Sequence, residues 1–445
     1  MKKILALCLA LTMALAVFAG CSGAASSSAP AAGSASGSAS TGGSATGKQL
    51  SGKVVYWSMY NEGEPEAMAI QKAADMFMKD YPDCEVEIQW IGRSNQDITG
   101  PALEGGEQLD ILDNFSYDKS TDRYLDITDM MNEPALGQED MTVAESILPV
   151  LNLANAQGQE KAGLETDKYY GVQMFPWVVG FFYNKDLFQQ AGITETPETW
   201  TEFMEACQKL KDAGINAVTC DDAYMTLIPN NYLARLVGSD TIAAMSASAS
   251  DPAWQSEEVK QAFAAMEALS PFMSPQTATN KYPAGQQEFA LGEAAMYLNA
   301  SWMPSEVADT AGEDFPWGFF AFPQVEDGAE GSSYVSVGGV PLAVYSGSPN
   351  PEAAKEFLRY VASKEVQDYL AEQGGAPATV GSEWPGARAE CTDVIAAADK
   401  VASLNCDLSS EFVSAVFTME MNKVLTQQTT ADKAVSTLTG EASKY

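Results

Sequence analysis

The sequence contains no histidine. Serine–histidine and cysteine–histidine nucleophile pairs are therefore excluded, as are imidazole acid–base catalysis and the commonest zinc ligand sets. Carboxylate-only chemistry, such as glycoside hydrolysis or calcium binding, survives that exclusion. Basic residues are scarce: 25 Lys+Arg stand against 60 Asp+Glu, a formal charge of −35. Such a surface repels phosphate backbones and anionic lipid, so no nucleic acid partner is expected, and it favours solubility outside the cell. After the N-terminal leader no apolar run is long enough to span a bilayer. Phosphate loops of the Gly-x-x-x-x-Gly-Lys type, EF-hand patterns and hydrolase nucleophile elbows are all missing, and no cofactor or metal is expected. Cysteine is sparse, and no two form a Cys-x-x-Cys. Beyond Cys21 come Cys84, Cys207, Cys220, Cys391 and Cys406, an odd number, so at least one stays free unless it pairs between chains. Cys391 with Cys406 is the most local disulfide option, and Cys207 lies on an apolar helix face and is expected in the core.

What is present begins with a leader. Lys2 and Lys3 precede an apolar segment, Ile4 to Phe18, too short to span a bilayer comfortably. Phe18-Ala19-Gly20-Cys21 follows and resembles a bacterial lipobox, in which cleavage after residue 20 leaves Cys21 first and lipid-modified. Residues 22–47 are almost entirely Ser, Ala, Gly and Thr. With no large apolar side chain they cannot offset their own conformational entropy. Residues 21–49 thus read as a lipid-attached tether with a typical span of roughly 25–30 Å. The whole chain, 445 residues and 46% hydrophobic, exceeds what one core usually supports, so two domains are expected.

The body opens with strand, helix, strand, helix, strand: Lys53 to Tyr60, an amphipathic helix begun by Pro65 with Ile70, Ala74 and Phe77 on one face, the alternating Cys84 to Ile91, and Leu109 to Leu112. That order is the signature of an open, largely parallel sheet, whose ligands bind off the carboxyl ends of strands. Trp57 to Glu62 and Asp113 to Tyr117 then fall on candidate binding loops. The spacing also predicts short helices over Leu125–Met131 and Glu145–Asn155, a strand over Asn216–Thr219 and helices over Tyr232–Val237 and Ser256–Leu269. Further on it predicts strands ending at Trp302, over Phe315–Phe322 and over Ser336–Tyr345, and helices from Pro351 and Ser363. Closing helices are expected over Ile395–Leu404 and Phe412–Leu425, before frayed terminal residues.

The rest is organised around Tyr169–Lys211. Val172 to Tyr183 is apolar on nearly every residue and reads as a strand buried on both faces. Asn184-Lys185-Asp186 is a polar turn into a short helix, and Thr199 with Glu202 makes a capping box for the next one. Tyr170-Gly171-Val172, Phe182-Tyr183-Asn184-Lys185-Asp186-Leu187-Phe188, Ala191-Gly192 and Pro197-Glu198-Thr199-Trp200-Thr201-Glu202-Phe203 resemble the most recognisable segment of the extracellular solute-binding proteins of bacterial ABC importers, the carbohydrate-type family that includes maltose-binding protein. Phe289–Trp302 and Gly338–Pro377 are similar to two further segments of that family. Gln173 stands where the family commonly has proline.

The resemblance implies an α/β, two-lobe periplasmic-binding-protein-like (type II) fold with a central cleft and hinge crossovers. It places the first lobe at 50–173 and 323–346 and the second at 174–322 and 347–445. It implies a non-catalytic, monomeric protein, held outside the cytoplasmic membrane by its lipid anchor, which captures a sugar or oligosaccharide and delivers it to permease subunits. A carboxylate-pair glycosidase and a receptor for a non-sugar solute remain alternatives. Sugar receptors stack aromatic rings on pyranose faces and hydrogen-bond hydroxyls with polar side chains. On that ground Tyr60, Asn61, Glu62, Asp113, Asn114, Trp177, Tyr224 and Trp302 are the candidate ligand-binding residues. Trp317 and Trp384 are expected to be structural.

Overall fold

The computed structural model describes residues 48–115, 117 and 122–445. The leader, Cys21 and nearly all of the tether lie outside the described residues. Strands β1 (Gly52–Ser58), β2 (Cys84–Trp90) and β3 (Ile111–Asp113) form a parallel group ordered β2-β1-β3. A small antiparallel hairpin, β4 (Pro134–Ala135) with β5 (Gln138–Thr142), stands apart from the main sheet. The long strand β6 (Val172–Asn184) is the spine. Strands β7 (Asn216–Val218) and β8 (Ala294–Ala300) are parallel to each other, β9 (Trp317–Ala321) and β10 (Tyr334–Val344) follow, and β11 (Lys400–Ala402) is last.

Register shows how β6 joins two half-sheets. Its first residues, Val172 to Met174, pair with Leu342 to Val340 of β10, and β10 in turn pairs with β3 through Leu342 and Asp113. Its last residues, Val179 to Tyr183, pair with β8, and Gly180 to Asn184 pair with β9. Strand β10 crosses back the other way: Tyr334 to Ser336 pair with β11, and the strand reaches the first half-sheet only from Val340 on. The fold is thus α/β with two lobes sharing two crossing strands. The crossing is irregular. The β6–β10 register shifts between Gly338 and Val340, and Phe175, just before Pro176, has φ 52°, a costly conformation for a bulky side chain. Gly338 is required here, since a Cβ would come within 2.8 Å of the Trp177 ring.

Local chemistry explains the elements. Pro65 at the first turn opens helix Pro65–Asp80, whose Ala67, Ile70, Ala74 and Phe77 stripe is buried. Asn184 caps the helix after β6 by accepting from Asp186 N at 3.0 Å and Leu187 N at 3.1 Å. The Thr199–Glu202 capping box forms in full, with Glu202 N donating to Thr199 Oγ1 at 3.2 Å and Thr199 N to Glu202 Oε2 at 3.0 Å. Cys207 is buried on that helix's apolar face, and Trp317 and Trp384 are packed into the structure, Trp384 Nε1 donating to Pro377 O at 3.1 Å.

Several expectations are corrected. Helices Pro351–Val361 and Lys364–Glu372, expected on the second lobe, pack against the first: Phe357 meets Phe77 at 6.0 Å and Tyr56 at 6.4 Å, and Tyr360 meets Phe77 at 5.6 Å. Each such aromatic pair adds about 0.5–1.5 kcal/mol beyond area burial, so the apolar stripe of 351–361 has its partner there. The segment 323–346 likewise begins among second-half strands. Residues 395–404 end a helix, Cys391–Ala397, and then form β11, whose Val401 and Ala402 are buried. The terminal residues form helix Ala431–Glu441, held by buried Ala431, Ala434 and Leu438. The helix predicted over 145–155 is two, Val143–Ser146 and Pro149–Ala162, because Pro149 starts the second. The five cysteines of the body are free and buried, so Cys391 and Cys406 are not bridged. No helix among the described residues is long and apolar enough to cross a membrane.

Candidate functional site

The carboxyl ends of β1 and β3 and those of β7 and β8 lie towards the β6–β10 crossing, as the register requires. Val179 of β6 sits beside Ala300 at the end of β8, and Met174 beside Val340, two residues from the Leu342–Asp113 pair. Met174 to Val179 spans at most about 16 Å, the length of a fully extended chain, because Phe175 departs from extended geometry. Trp177 stands in the middle of that span.

On the second lobe the structure brings three predicted residues together. The Trp177 and Trp302 rings meet edge to face at 6.1 Å, and Trp302 lies 6.4 Å from Tyr224. A fourth ring, Tyr282, packs 5.9 Å from Tyr224 and is 46% exposed. Trp302 leaves the end of β8, and Tyr224 sits on the turn after β7, which explains why residues far apart in sequence share one edge. The indole N–H of Trp302 is buried without a hydrogen bond of good geometry.

Polar groups surround this cluster. Glu306 is an exposed residue whose carboxylate is hemmed in: Gln286 Nε2 donates to it at 2.7 Å and the Tyr282 hydroxyl at 3.2 Å. Burial raises its carboxyl above the ordinary range, while those two donors and the charge of Arg93, on the first lobe, pull it back. Asp221 is buried. Its Oδ1 accepts from Ala223 N at 3.2 Å, and its Oδ2 makes no hydrogen bond of good geometry, although the Tyr297 hydroxyl lies beside it. Burial raises this carboxyl too. Arg388 supports Trp302 from behind. Its Nε donates to Ser301 O at 2.6 Å and its Nη2 to Ser305 Oγ at 2.7 Å, and Nη1 donates to Gly374 O.

The first-lobe candidates divide. Tyr60 is buried, packs edge to face on Phe175 at 5.3 Å, and lies under the Arg93 guanidinium at 5.2 Å. Arg93 is held by Glu64 at 2.9 Å and Met59 O at 2.7 Å. Asn61 is exposed and donates to Glu64 at 2.6 Å. Glu62 is exposed and lines a separate groove of about 660 Å³ along helix Pro65–Asp80, shared with Lys72, Trp90 and Tyr369, away from the four rings. Asp113 is buried and accepts from Tyr56 OH at 2.7 Å, Met59 N at 3.0 Å and Asn95 Nδ2, so it knits β1 to β3. Burial pushes its carboxyl up to about 6, against the pull of those donors. Asn114, at φ 50°, donates to Asn95 Oδ1 at 3.1 Å.

The family model described as bacterial extracellular solute-binding protein matches residues 61–368, more than half of the chain. The chain belongs to that family. Among curated proteins this solute-binding protein is 22% identical over 299 residues to the diacetylchitobiose binding protein NgcE of Streptomyces coelicolor, a match covering 64% of this chain and 61% of that relative's length. Solved structures with the same fold include a chitin oligosaccharide binding protein (TM-score 0.67, 21% identity, 88% of this chain and 98% of that one). Others are the GacH receptor of Streptomyces glaucescens (TM-score 0.61, 20% identity, 89% and 98%) and RafE in complex with raffinose (TM-score 0.65, 17% identity, 88% and 98%).

Sequence reasoning missed Tyr282, Gln286, Glu306, Asp221, Arg93 and Arg388. Asp221 stands three residues before the nominated Tyr224, in the acidic-aromatic run Asp221-Asp222-Ala223-Tyr224. The others sit in polar segments with no periodic or motif signal, and only folding places them beside Trp302.

Proposed function

We propose that this solute-binding protein captures a sugar or oligosaccharide between its lobes and delivers it to the permease of an ABC importer. The observation that carries this reading is the cluster of Trp177, Tyr224, Tyr282 and Trp302, which offers apolar ring faces at the strand ends beside hydrogen-bonding carboxylates and amides. Flat apolar ring faces with a few polar groups are what a pyranose requires. The ligands named for the relatives, chitin oligosaccharide and diacetylchitobiose among them, support it. Of the predicted residues, Trp177, Tyr224 and Trp302 are proposed to stack on the ligand, and Tyr60, Asn61 and Asn114 to form the facing wall, with Asp113 acting by positioning and Glu62, on its separate groove, left out of that wall. Ligand contacts to both lobes favour a closed state through motion at the β6–β10 crossing. Cys21 is proposed to carry the lipid that holds the protein, as a monomer, outside the cytoplasmic membrane, with permease subunits as its partners.

A thermal-shift panel of mono- and oligosaccharides against amino acids, peptides and polyols tests the reading, because a ligand that binds only the folded state raises its melting temperature. Stabilisation by a saccharide is expected. Stabilisation by another solute class alone would remove the carbohydrate assignment, and release of shortened products from an oligosaccharide would replace the receptor by an enzyme.

A further inference from the structure

The charges around the four rings do not balance. On the first lobe Arg93 is engaged by Glu64 at 2.9 Å. On the second, Lys281 is engaged by Asp222 at 2.8 Å. Arg388 has no carboxylate at ion-pair distance among the described residues, but Glu66 and Arg388 act on each other electrostatically. What remains is Asp221 and Glu306. Neither makes an ion pair among the described residues; burial is the largest cause that raises each carboxyl, with a smaller contribution from Asp221 at Glu306 and from Asp222 at Asp221.

The hydrogen-bonding inventory leans the same way. Gln286 must present its amide nitrogen to Glu306, because a carboxylate accepts and never donates. That fixes the orientation of the amide and leaves its Oε1, on a fully buried side chain, without a partner. Asp221 Oδ2 is likewise buried, and beside it lies only the Tyr297 hydroxyl, without a hydrogen bond of good geometry. Three acceptors therefore gather at the ring cluster, Asp221, Gln286 and Glu306, against one donor there without a bond of good geometry, the Trp302 indole N–H. A hydroxyl brings one donor, whereas an ammonium brings three N–H donors and a positive charge. Aromatic faces add to the preference, since ring quadrupoles attract cations within about 6 Å of their centroids.

We propose that the ligand carries an ammonium group, seated among Asp221, Gln286 and Glu306 and against the rings of Tyr224, Tyr282 and Trp302. Resting on the saccharide reading, this names the substrate class as an amino sugar or an oligosaccharide of amino sugars, with the free amine in place of its N-acetylated form. The N-acetyl group would bring one N–H donor, no charge and an additional carbonyl acceptor to a place already crowded with acceptors.

Calorimetry on the full chain at low salt tests this with three trimers of one β-1,4-linked backbone: the glucosamine trimer, its fully N-acetylated form and cellotriose. Choline and spermidine serve as amines without a sugar. The glucosamine trimer is expected to bind at least about tenfold tighter than the other two trimers. That preference is expected to shrink in about 1 M salt, where the screening length is near 3 Å. It is also expected to fall in Glu306→Gln and, independently, in Asp221→Asn, each verified as folded by circular dichroism. Equal or tighter binding of the N-acetylated trimer or cellotriose overturns the ammonium assignment and leaves the carbohydrate reading standing. Binding of an amine with no trimer bound upholds the assignment and removes the carbohydrate reading. Binding of none of the five overturns the assignment.

Discussion

Replacing Arg388 by Met keeps the aliphatic length of the side chain and removes every donor. Three bonds are lost outright: to Ser301 O at 2.6 Å, to Ser305 Oγ at 2.7 Å and to Gly374 O. The contact to Trp302 O, at 3.5 Å, is marginal and adds little. Stranding the buried Ser301 O costs about 1–3 kcal/mol, and the charge-assisted bonds to Ser305 Oγ and Gly374 O, which are only partly buried, are each worth up to about 1.5–3 kcal/mol, so the loss is at most roughly 4–9 kcal/mol. Set against this is the guanidinium's own burial, which disfavours its charged form and whose removal returns a few kcal/mol. The acceptors outnumber the one relieved charge, and the net loss is about 2–4 kcal/mol. Urea unfolding followed by circular dichroism reads this as a lower midpoint at unchanged slope. Because Arg388 holds Ser301 and Ser305 on either side of Trp302, the tryptophan emission of the still-folded variant should shift as well. Arg388→Lys retains the charge but presents a point donor where a planar fork is used, and should recover only part of the loss. A change below about 0.5 kcal/mol in Arg388→Met, with unshifted emission, would refute the claim that this guanidinium organises the Trp302 turn.

Other outcomes follow from single positions. Gly180→Val should abolish soluble expression or cost more than about 3 kcal/mol, because a Cβ at 180 meets the Phe319 ring and, at 2.6 Å, Phe320 O between β6 and β9; a soluble variant of wild-type stability would contradict the tight pairing there. Glu356, fully buried, bonds Lys48 at 2.6 Å and Arg359 at 2.8 Å, so Glu356→Ala should lose about 3 kcal/mol in chemical denaturation by leaving buried Arg359 only the more distant Glu133, at 3.5 Å, as counter-charge. Asp113 titrates near 6 in the folded protein and near 4 unfolded, so the folded state binds more protons in that window and this group's contribution to stability falls as pH rises from about 4 to about 6. Relative to Asp113→Asn, the wild type should therefore gain about 2–3 kcal/mol on going from pH 7 to pH 4; parallel pH profiles of the two proteins would show that the carboxyl is not desolvated.

Much of the fold was legible because its signals are local. The apolar run of β6, the Pro65 and Pro351 helix starts and the Thr199–Glu202 box each specify their element without help from distant residues. The element starting at Lys400 was not legible, because a three-residue strand is fixed by pairing with Tyr334 to Ser336 and carries no period of its own. The lobe assignment of 351–372 failed for a similar reason: the apolar stripe shows that a partner exists, and only packing shows that it is Phe77. At the site, strand-end and loop position nominated Tyr224 and Trp302, and the lobe crossover that the resemblance implied nominated Trp177. Strand-end position also nominated Asp113, whose carboxylate turned out to be occupied by Tyr56, Met59 and Asn95. Tyr282, Gln286 and Glu306 come from segments that read only as polar, and their meeting is a property of the tertiary structure.

The central claim is that a saccharide stacks on the ring cluster beside the lobe crossing. The most direct test is calorimetric titration of the wild type and of Trp302→Ala with the saccharide that most stabilises the wild type. Loss of a central aromatic contact is expected to cost about 2 kcal/mol or more, so the variant, still cooperatively folded, should bind at least about 30-fold more weakly. Undiminished affinity in folded Trp302→Ala would contradict the placement of the ligand, and the absence of saccharide binding to the wild type would contradict the account as a whole.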